Sequence, residues 1–152
     1  MKKANEKGIT MVTLVITVIV LIIITAIGVS TGSEIIKKAN LQNINTNMML
    51  IQAKVKTISE QAKFNKDTSN YKGTKVSEIS GNEQIDKLQI TDKENCYLLS
   101  QTDLDSMGLE KITIDEGYVV NYNTNEVMYV KGFETEDTTY YNLTDMKNLS
   151  LE

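Results

Sequence analysis

A single uncharged segment near the amino terminus constrains this chain of 152 residues more than any other feature. Residues 9–29 are almost entirely apolar, and no charged side chain occurs between Lys7 and Glu34. As an α-helix rising ~1.5 Å per residue, the segment is about 32 Å long, which matches the ~30 Å hydrocarbon core of a bilayer. Because Lys2, Lys3 and Lys7 precede it, the positive-inside rule predicts a cytoplasmic amino terminus and an extracytoplasmic remainder.

Composition argues against several functions for the rest of the chain. The sequence has no His and one Cys, Cys96, so metal-dependent and redox chemistry are not expected. The formal net charge is −4, and every basic residue is a Lys. An acidic chain without Arg offers no bidentate phosphate clamp, so nucleic acid is not an expected partner. No catalytic or nucleotide-binding motif occurs, and we expect the chain to have no catalytic residues and not to be an enzyme.

Three acidic clusters offer oxygen ligands of the kind that calcium prefers. None of them has the spacing of a dedicated calcium loop, and solvated turns explain most such clusters. The sequence therefore predicts no cofactor, and calcium is kept only as an alternative. The clusters are Asp103 with Asp105, Asp115 with Glu116, and Glu134 with Glu136 and Asp137.

The boundary between the basic leader and the apolar segment has three interpretations. A secretory signal peptide normally has a shorter apolar region of ~7–15 residues, but residues 26–28 fit its cleavage site. A signal anchor that is never cut fits the length equally well. The third interpretation rests on the boundary itself, where the leader ends in Lys7 and Gly8, and Ile9 opens the apolar segment without a gap.

This boundary resembles the amino terminus of type IV pilin and pseudopilin precursors. That family has a short basic leader ending in Gly, followed by a methylated hydrophobic residue that opens a long apolar helix. The resemblance implies a leader of residues 1–8, cleavage between Gly8 and Ile9 by a prepilin peptidase, and N-methylation of Ile9. It also implies that residues 9–32 form a transmembrane helix that packs on the helices of other pilin-like subunits.

The fifth mature position departs from the family pattern. Pilins usually carry Glu there, and its carboxylate is thought to pair with the free amine of a neighbouring subunit, whereas this chain has Thr13. A buried ion pair in lipid needs both partners, and a hydroxyl does not replace the carboxylate. The departure argues against a major filament subunit. It fits either a subunit at the filament tip or one that does not polymerise in quantity.

Small and hydroxyl-bearing residues fall near one face of the apolar helix. Gly28 and Gly32 have the G-x-x-x-G spacing, and Thr13 and Thr17 lie one helical turn apart. Such residues let helices approach closely in lipid, which makes these four the candidates for helix packing. The alternative is that the Thr hydroxyls bond back to carbonyls of their own helix.

From residue 33 the pattern becomes amphipathic, and we expect the helix to continue over residues 33–64. Apolar residues alternate spacings of three and four, which is typical of a helix stripe that packs against a small sheet. The stripe consists of Leu41, Ile44, Met48, Ile51, Val55, Ile58 and Ala62. Residues 65–70 are polar and predict a loop.

Residues 65–152 are predicted to form a small α+β extracytoplasmic domain. Short helices are expected near residues 76–79 and 83–88, and a third, capped by Ser100, is expected to run to Met107. Strands are expected at residues 96–99, 111–114, 118–122, 127–130 and 138–143, the last four as a meander. Cys96 is expected to be a small core residue.

The sequence therefore predicts an α+β fold in which a long amino-terminal helix, half transmembrane and half amphipathic, packs on a small antiparallel sheet. Residues 98–129 also resemble the carboxyl-terminal part of pilin-like proteins of Gram-positive bacteria, where a Leu-x-x-x-Gly-Leu helix precedes a hairpin. The expected function is that of a structural subunit, a minor one, of a type IV pilus, a type II secretion-like system or a competence pseudopilus.

Two other functions stay open at this point. The main alternative is a permanently membrane-anchored extracellular binding or sensing module that no peptidase cuts. Such a module would use a groove or an exposed tyrosine patch, for which the candidates are Tyr118, Tyr122, Tyr129, Tyr140 and Tyr141. A hydrolase secreted after cleavage behind Gly28 is the third option, and it would need a pocket of convergent acids.

Overall fold

The computed structural model describes residues 5–115 and 117–149 of the chain; within the first helix it describes the side chains of residues 11, 13–23 and 32 onward. The chain divides into two compact units, whose described residues are 5–40 and 41–149. The elements are α1 (Asn5–Asn65), β1 (Thr74–Lys75), a 3-10 helix (Val76–Glu78), α2 (Glu83–Lys87), β2 (Cys96–Leu99), α3 (Gln101–Ser106), β3 (Tyr118–Asn121), β4 (Glu126–Glu134), β5 (Thr139–Asn142) and α4 (Leu143–Lys147).

The five strands form one antiparallel sheet in the order β1-β2-β3-β4-β5. The predicted α+β class and the predicted antiparallel sheet are confirmed. In the centre of the sheet, Val119 lies opposite Leu98 on one side and Met128 on the other. All four residues of β3 are buried, although successive side chains of a strand point to opposite faces. The sheet is therefore covered on both faces.

One face is covered by the residues that link α1 to β2. A core cluster joins Val76 of the 3-10 helix and Ile85 of α2 to strand residues. The strand residues of this cluster are Cys96, Val119, Met128 and Val130. The helix α2 forms where the sequence predicts one, because the Asn82 side chain accepts hydrogen bonds from the backbone N–H groups of Gln84 and Ile85.

The carboxyl half of α1 is the amphipathic half, and its buried side chains confirm the predicted stripe. Five of the predicted residues are buried, namely Leu41, Met48, Ile51, Val55 and Ala62, while Ile44 and Ile58 are half-buried. Fully burying a side chain of this size stabilises the fold by about 1.5–3 kcal/mol. The helix ends at Asn65, as the polar loop sequence predicts.

A ladder of three polar side chains, spaced seven residues apart, joins the same half of α1 to backbone carbonyls of the unit that begins at Leu41. The Asn45 amide donates to the carbonyl of Met146 (3.3 Å), and the Gln52 amide donates to that of Asn125 (3.0 Å). The Ser59 hydroxyl, which is fully buried, donates to the carbonyl of Tyr122 (2.7 Å). The apolar stripe gives no hint of this polar ladder, and sequence reasoning missed it.

The predicted helix after β2 is confirmed down to its cap. Ser100 accepts a hydrogen bond from the backbone N–H of Asp103, while the Asp103 carboxylate accepts from the backbone N–H of Ser100. This reciprocal capping box fixes the start of α3 and turns the buried Leu104 toward the core. Gly108 follows the helix with φ +75°, a conformation that favours glycine.

The predicted strand at residues 111–114 is wrong. These residues form no strand, although Ile112 is buried. The Gln101 side chain takes the place of a neighbouring strand: its amide donates to the carbonyl of Ile112 (3.0 Å), and its oxygen accepts from the backbone N–H of Ile114 (3.1 Å). The sheet is a meander, as predicted, but β3 pairs with β2 and β4, so β2 takes the place expected for residues 111–114.

Three further elements differ from the prediction. The two-residue β1 and the final helix α4 were not expected, and β4 runs on through Lys131 and Gly132, beyond the predicted strand end at residue 130. Gly132 has φ +74°, and a Cβ there would lie 2.5 Å from Thr139 Cγ2 and 2.8 Å from Tyr141 Cε1. The glycine lets β4 bend at this point while β5 packs directly on its backbone.

Candidate functional site

The apolar residues of the amino-terminal unit are the first candidate site. The large apolar side chains described between Met11 and Ile23 are all exposed, from 46% for Val20 to 71% for Met11. An apolar surface of this kind is unfavourable in water and requires a covering of lipid or protein. Among the residues whose side chains are described, no helix is long and apolar enough to span a membrane.

The residues predicted for helix packing have different surroundings. The Thr17 hydroxyl donates to the carbonyl of Thr13 (2.8 Å), one turn earlier in the same helix. This is the alternative in which the Thr hydroxyl bonds back to a carbonyl of its own helix. A Cβ added at Gly32 would meet no atom within 4 Å, so this position has open space around it. Packing of other helices on these residues remains a prediction.

The surroundings of the processing site lie outside the residues described in atomic detail. Gly8, Ile9 and Gly28 fall within the bounds of α1, but the structure gives no side-chain description for residues 5–10 and 24–31. Cleavage after Gly8, methylation of Ile9 and the role of Gly28 therefore remain predictions from the sequence.

The second candidate site is a polar cavity of about 160 Å³ on the face of the sheet that carries the core cluster. Residues 88–92 form one wall, and Cys96, Asn121, Glu126 and other strand residues form the floor. The Asp92 carboxylate accepts hydrogen bonds from the Asn95 amide (3.0 Å) and the Asn121 amide (3.3 Å). The cavity is thus lined by two carboxylates, those of Asp92 and Glu126, and by the side-chain amides of Gln89, Asn121 and Asn142, and sequence reasoning did not foresee it.

The environment of Cys96 suits a structural residue. Burial raises the pKa of its thiol to about 11, and the negative charge of Asp92 acts in the same direction. A thiol with such a pKa is almost entirely protonated at neutral pH, and only the thiolate is a good nucleophile. The predicted role of Cys96 as a small core residue is confirmed by its burial.

In two of the three acidic clusters considered for calcium, side chains have other partners in the described part of the chain. Asp103 belongs to the capping box, Asp105 accepts from the Gln101 amide (2.9 Å), and Asp115 lies 3.8 Å from the ammonium group of Lys131. Glu116 is outside the described residues. Across residues 5–115 and 117–149, no three metal-ligating side chains come together.

The tyrosines considered for an exposed patch are mostly internal. Tyr118, Tyr122 and Tyr129 are buried, whereas Tyr140 and Tyr141 are half-buried in β5. The Tyr122 ring stacks on that of Tyr71 with centroids 4.0 Å apart, and its hydroxyl donates to the carbonyl of Lys72 (3.1 Å). Burial raises the pKa of Tyr122 to about 12. A five-tyrosine adhesive patch is therefore excluded.

Comparison with known proteins identifies no family for this chain. No protein-family model, no curated protein and no solved structure matches it.

Proposed function

We propose that the chain is a structural subunit, and a minor one, of a type IV pilus, a type II secretion-like system or a competence pseudopilus. The observation that carries the proposal is the boundary at residues 7–9, where a basic leader ends in Gly and the apolar segment begins at once. Two features of the fold support it: a half-helix buried in a small α+β unit, and uncovered apolar side chains farther toward the amino terminus.

In this proposal the chemistry is done to the chain by another protein. A prepilin peptidase cuts between Gly8 and Ile9 on the cytoplasmic side and methylates the new amino terminus. The cut removes a leader with three of the Lys residues. The mature subunit is then held in the membrane by its apolar helix. Packing of that helix on sister helices replaces its contacts with lipid and draws the subunit into a filament.

The minor role follows from Thr13. A major subunit occurs in many stacked copies, and each copy needs a carboxylate for the amine of its neighbour. Thr13 cannot supply that carboxylate, and the hydroxyl of Thr17 already bonds to the carbonyl of Thr13. A tip subunit has no further subunit above it, so it has less need of this ion pair. We therefore place the chain at the end of a filament or among its rare components.

Mass spectrometry of the full chain from its native host tests the proposal, because it identifies the first residue of the mature protein. We expect a mature chain that begins at N-methylated Ile9. Gly8→Val should block the cut, because a branched side chain then replaces the glycine before the scissile bond. The matched control is Gly28→Val, which makes the same change at the competing signal-peptide site and should leave processing at Ile9 intact.

The other outcomes contradict the proposal and identify its rivals. A chain that retains residues 1–8 is a permanently anchored extracellular module. A chain that begins at Val29, and whose cleavage is blocked by Gly28→Val rather than by Gly8→Val, is a secreted protein.

A further inference from the structure

The cavity on the sheet is lined by both apolar and acidic side chains. Leu88 and Ile90 of its wall pack against the core cluster, and Met128 of its floor belongs to that cluster. The half-buried carboxylates of Asp92 and Glu126 line the same cavity. A ligand that fits this lining therefore needs an apolar stem and a polar end that suits two carboxylates.

Asn121 connects the two carboxylates. It lies opposite Glu126 in the pairing of β3 with β4, so the two side chains share one face of the sheet. Its amide also donates to the Asp92 carboxylate (3.3 Å). Burial raises the pKa of the Cys96 thiol to about 11, and the negative charges of Asp92 and Glu126 both act in the same direction. The two negative charges therefore act at one place in the cavity.

Neither carboxylate is paired with a cation of its own chain. Across residues 5–115 and 117–149, no Lys ammonium group lies within 4.0 Å of Asp92 or Glu126. The residues that line the cavity include no Lys. Like charges that share a half-buried cavity repel each other, and a bound cation offsets this repulsion. The cavity thus suits a cation that comes from outside the chain.

The donor set favours an organic cation over a metal ion. In the described part of the chain, no three metal-ligating side chains come together, whereas calcium takes six to eight oxygen ligands. A primary ammonium group has three N–H donors and no acceptor, so two carboxylates and one amide oxygen satisfy it. The amides of Gln89 and Asn142 offer that oxygen. A cavity of ~150 Å³ holds benzene, so one of about 160 Å³ has room for the smaller n-butylammonium ion.

We propose that this cavity binds a primary ammonium group on a short alkyl stem. Asp92 and Glu126 accept hydrogen bonds from the ammonium group, and the stem lies against Leu88, Ile90 and Met128. A small free amine and the Lys side chain of another protein present the same atoms to the cavity. The site belongs to the unit that begins at Leu41, so its test leaves the proposed filament role untouched.

Titration of the full chain with n-butylammonium chloride, followed by amide chemical shifts in a nonionic detergent at neutral pH and constant ionic strength, tests the site. We expect saturable shifts at residues 88–92, 121 and 142, with half-saturation at ~10 mM or below. n-Butanol has the same stem without the charge and should bind at least ~10-fold more weakly, because hydrogen bonds between charged groups are the stronger ones. Failure of n-butylammonium to saturate the site, or equal binding of n-butanol, would overturn the proposal.

A charge-removing variant separates the acidic lining from the rest of the surface. Glu126→Gln keeps the size of a side chain that makes no hydrogen bond in the described structure, and it should weaken n-butylammonium binding by ~10-fold or more. The matched control is Glu134→Gln, at an exposed position of the same strand outside the cavity, which should keep the affinity within ~2-fold. Glu126→Asp keeps the charge and should retain binding. Native affinity in a folded Glu126→Gln chain would contradict the proposal.

A gain of affinity keeps the test decisive if Glu126→Gln does not fold. Asn142 lines the cavity and is the N-cap residue of α4, a position that suits Asp equally well. Asn142→Asp adds a third carboxylate and should strengthen n-butylammonium binding by ~3-fold or more. An unchanged or weaker affinity would contradict a site for cations.

Two further probes identify the source of the ammonium group. The peptide acetyl-Gly-Lys-Gly-amide presents it on a Lys side chain, so tighter binding of this peptide than of n-butylammonium supports a protein partner. Tighter binding of n-butylammonium supports a small free amine. Calcium chloride is the competing probe, and saturation of the same amide shifts by calcium but not by either amine would overturn the proposal.

Discussion

The two halves of α1 are both rich in large aliphatic residues but have opposite surroundings. Between Met11 and Ile23 the described apolar side chains are exposed, whereas in the second half the stripe is buried and Met48, Ile51 and Val55 have no exposed surface. The difference lies in patterning. The first half is apolar on every side, so it has no polar face to turn toward water, while the second half has one apolar stripe and a mostly polar remainder that Met49 and Leu50 interrupt. A stripe of this kind is covered by its own chain, and an all-round apolar helix requires another covering.

The comparison predicts that truncating an apolar residue has very different consequences in the two halves. Ile51→Ala should destabilise the unit that begins at Leu41 by about 2–5 kcal/mol, because it leaves a cavity in a closely packed core. Ile19→Ala should leave that stability unchanged within about 0.5 kcal/mol, because Ile19 is exposed. Urea unfolding in detergent, followed by tyrosine fluorescence, measures both free energies of unfolding. Equal losses would contradict the difference in burial between the two halves.

The second prediction concerns the reactivity of the buried Cys96 thiol. The pKa of Cys96 is about 11 in the folded chain against 9.0 for an ordinary thiol, so the native thiolate population should be about 100-fold lower at neutral pH. We expect modification by a disulfide reagent to be slower by at least that factor in the native chain than in urea. Equal rates in the two states would show that the cavity leaves the thiol accessible and reactive.

The same raised pKa sets the direction of the pH dependence. The folded chain holds the Cys96 proton more tightly than the unfolded chain, so the stabilisation is complete below pH 9.0 and is lost as the pH rises toward about 11. Cys96→Ala should have a flatter decline of the urea midpoint over this range. A decline as steep as that of the native chain would assign the loss to other groups.

A smaller effect tests how closely β5 packs on β4. Gly132→Ala should destabilise the sheet by about 1–3 kcal/mol, because it combines a left-handed backbone with a steric clash against Thr139 and Tyr141. Gly81 has the same φ of +74° but open space around it. Gly81→Ala is therefore the matched control for the backbone cost alone, at about 1 kcal/mol. If the thermal midpoints of the two variants coincide, the close packing at Gly132 contributes nothing to stability.

Local sequence signals predicted those parts of the fold that depend on neighbouring residues. The stripe of α1, the cap at Ser100 and the hairpin of β3 and β4 were all expected, because helix periodicity, capping and turn chemistry act over a few residues. The strand prediction at residues 111–114 was wrong because the side chain of Gln101, eleven residues before Ile112, hydrogen-bonds to the backbone there. A local pattern of alternating apolar residues does not show that a distant side chain, rather than a strand, will hydrogen-bond to the backbone.

The candidate sites divide in the same way. The boundary at Gly8 and Ile9 is visible in the sequence alone. It is tested by measuring whether the chain is cut and methylated there. The cavity beside Asp92 is lined by residues 88–92 and by residues of four strands, which meet only in the folded chain, so no local pattern indicates it. The sequence did not show which tyrosines are exposed for a related reason. Successive side chains of a strand point to opposite faces, but the sequence does not say which face of the sheet is covered.

Periodicity and charge act along the chain, so they alone indicate an apolar leading helix, an amphipathic continuation and a small α+β unit. The pairing of β3 with β2 rather than with residues 111–114 is seen only in the folded chain, as are the hydrogen bonds by which Asn45, Gln52 and Ser59 anchor the helix. Those contacts join residues as many as 101 positions apart in the chain. They arise because buried carbonyls need donors, and the chain supplies those donors from wherever the fold brings them close.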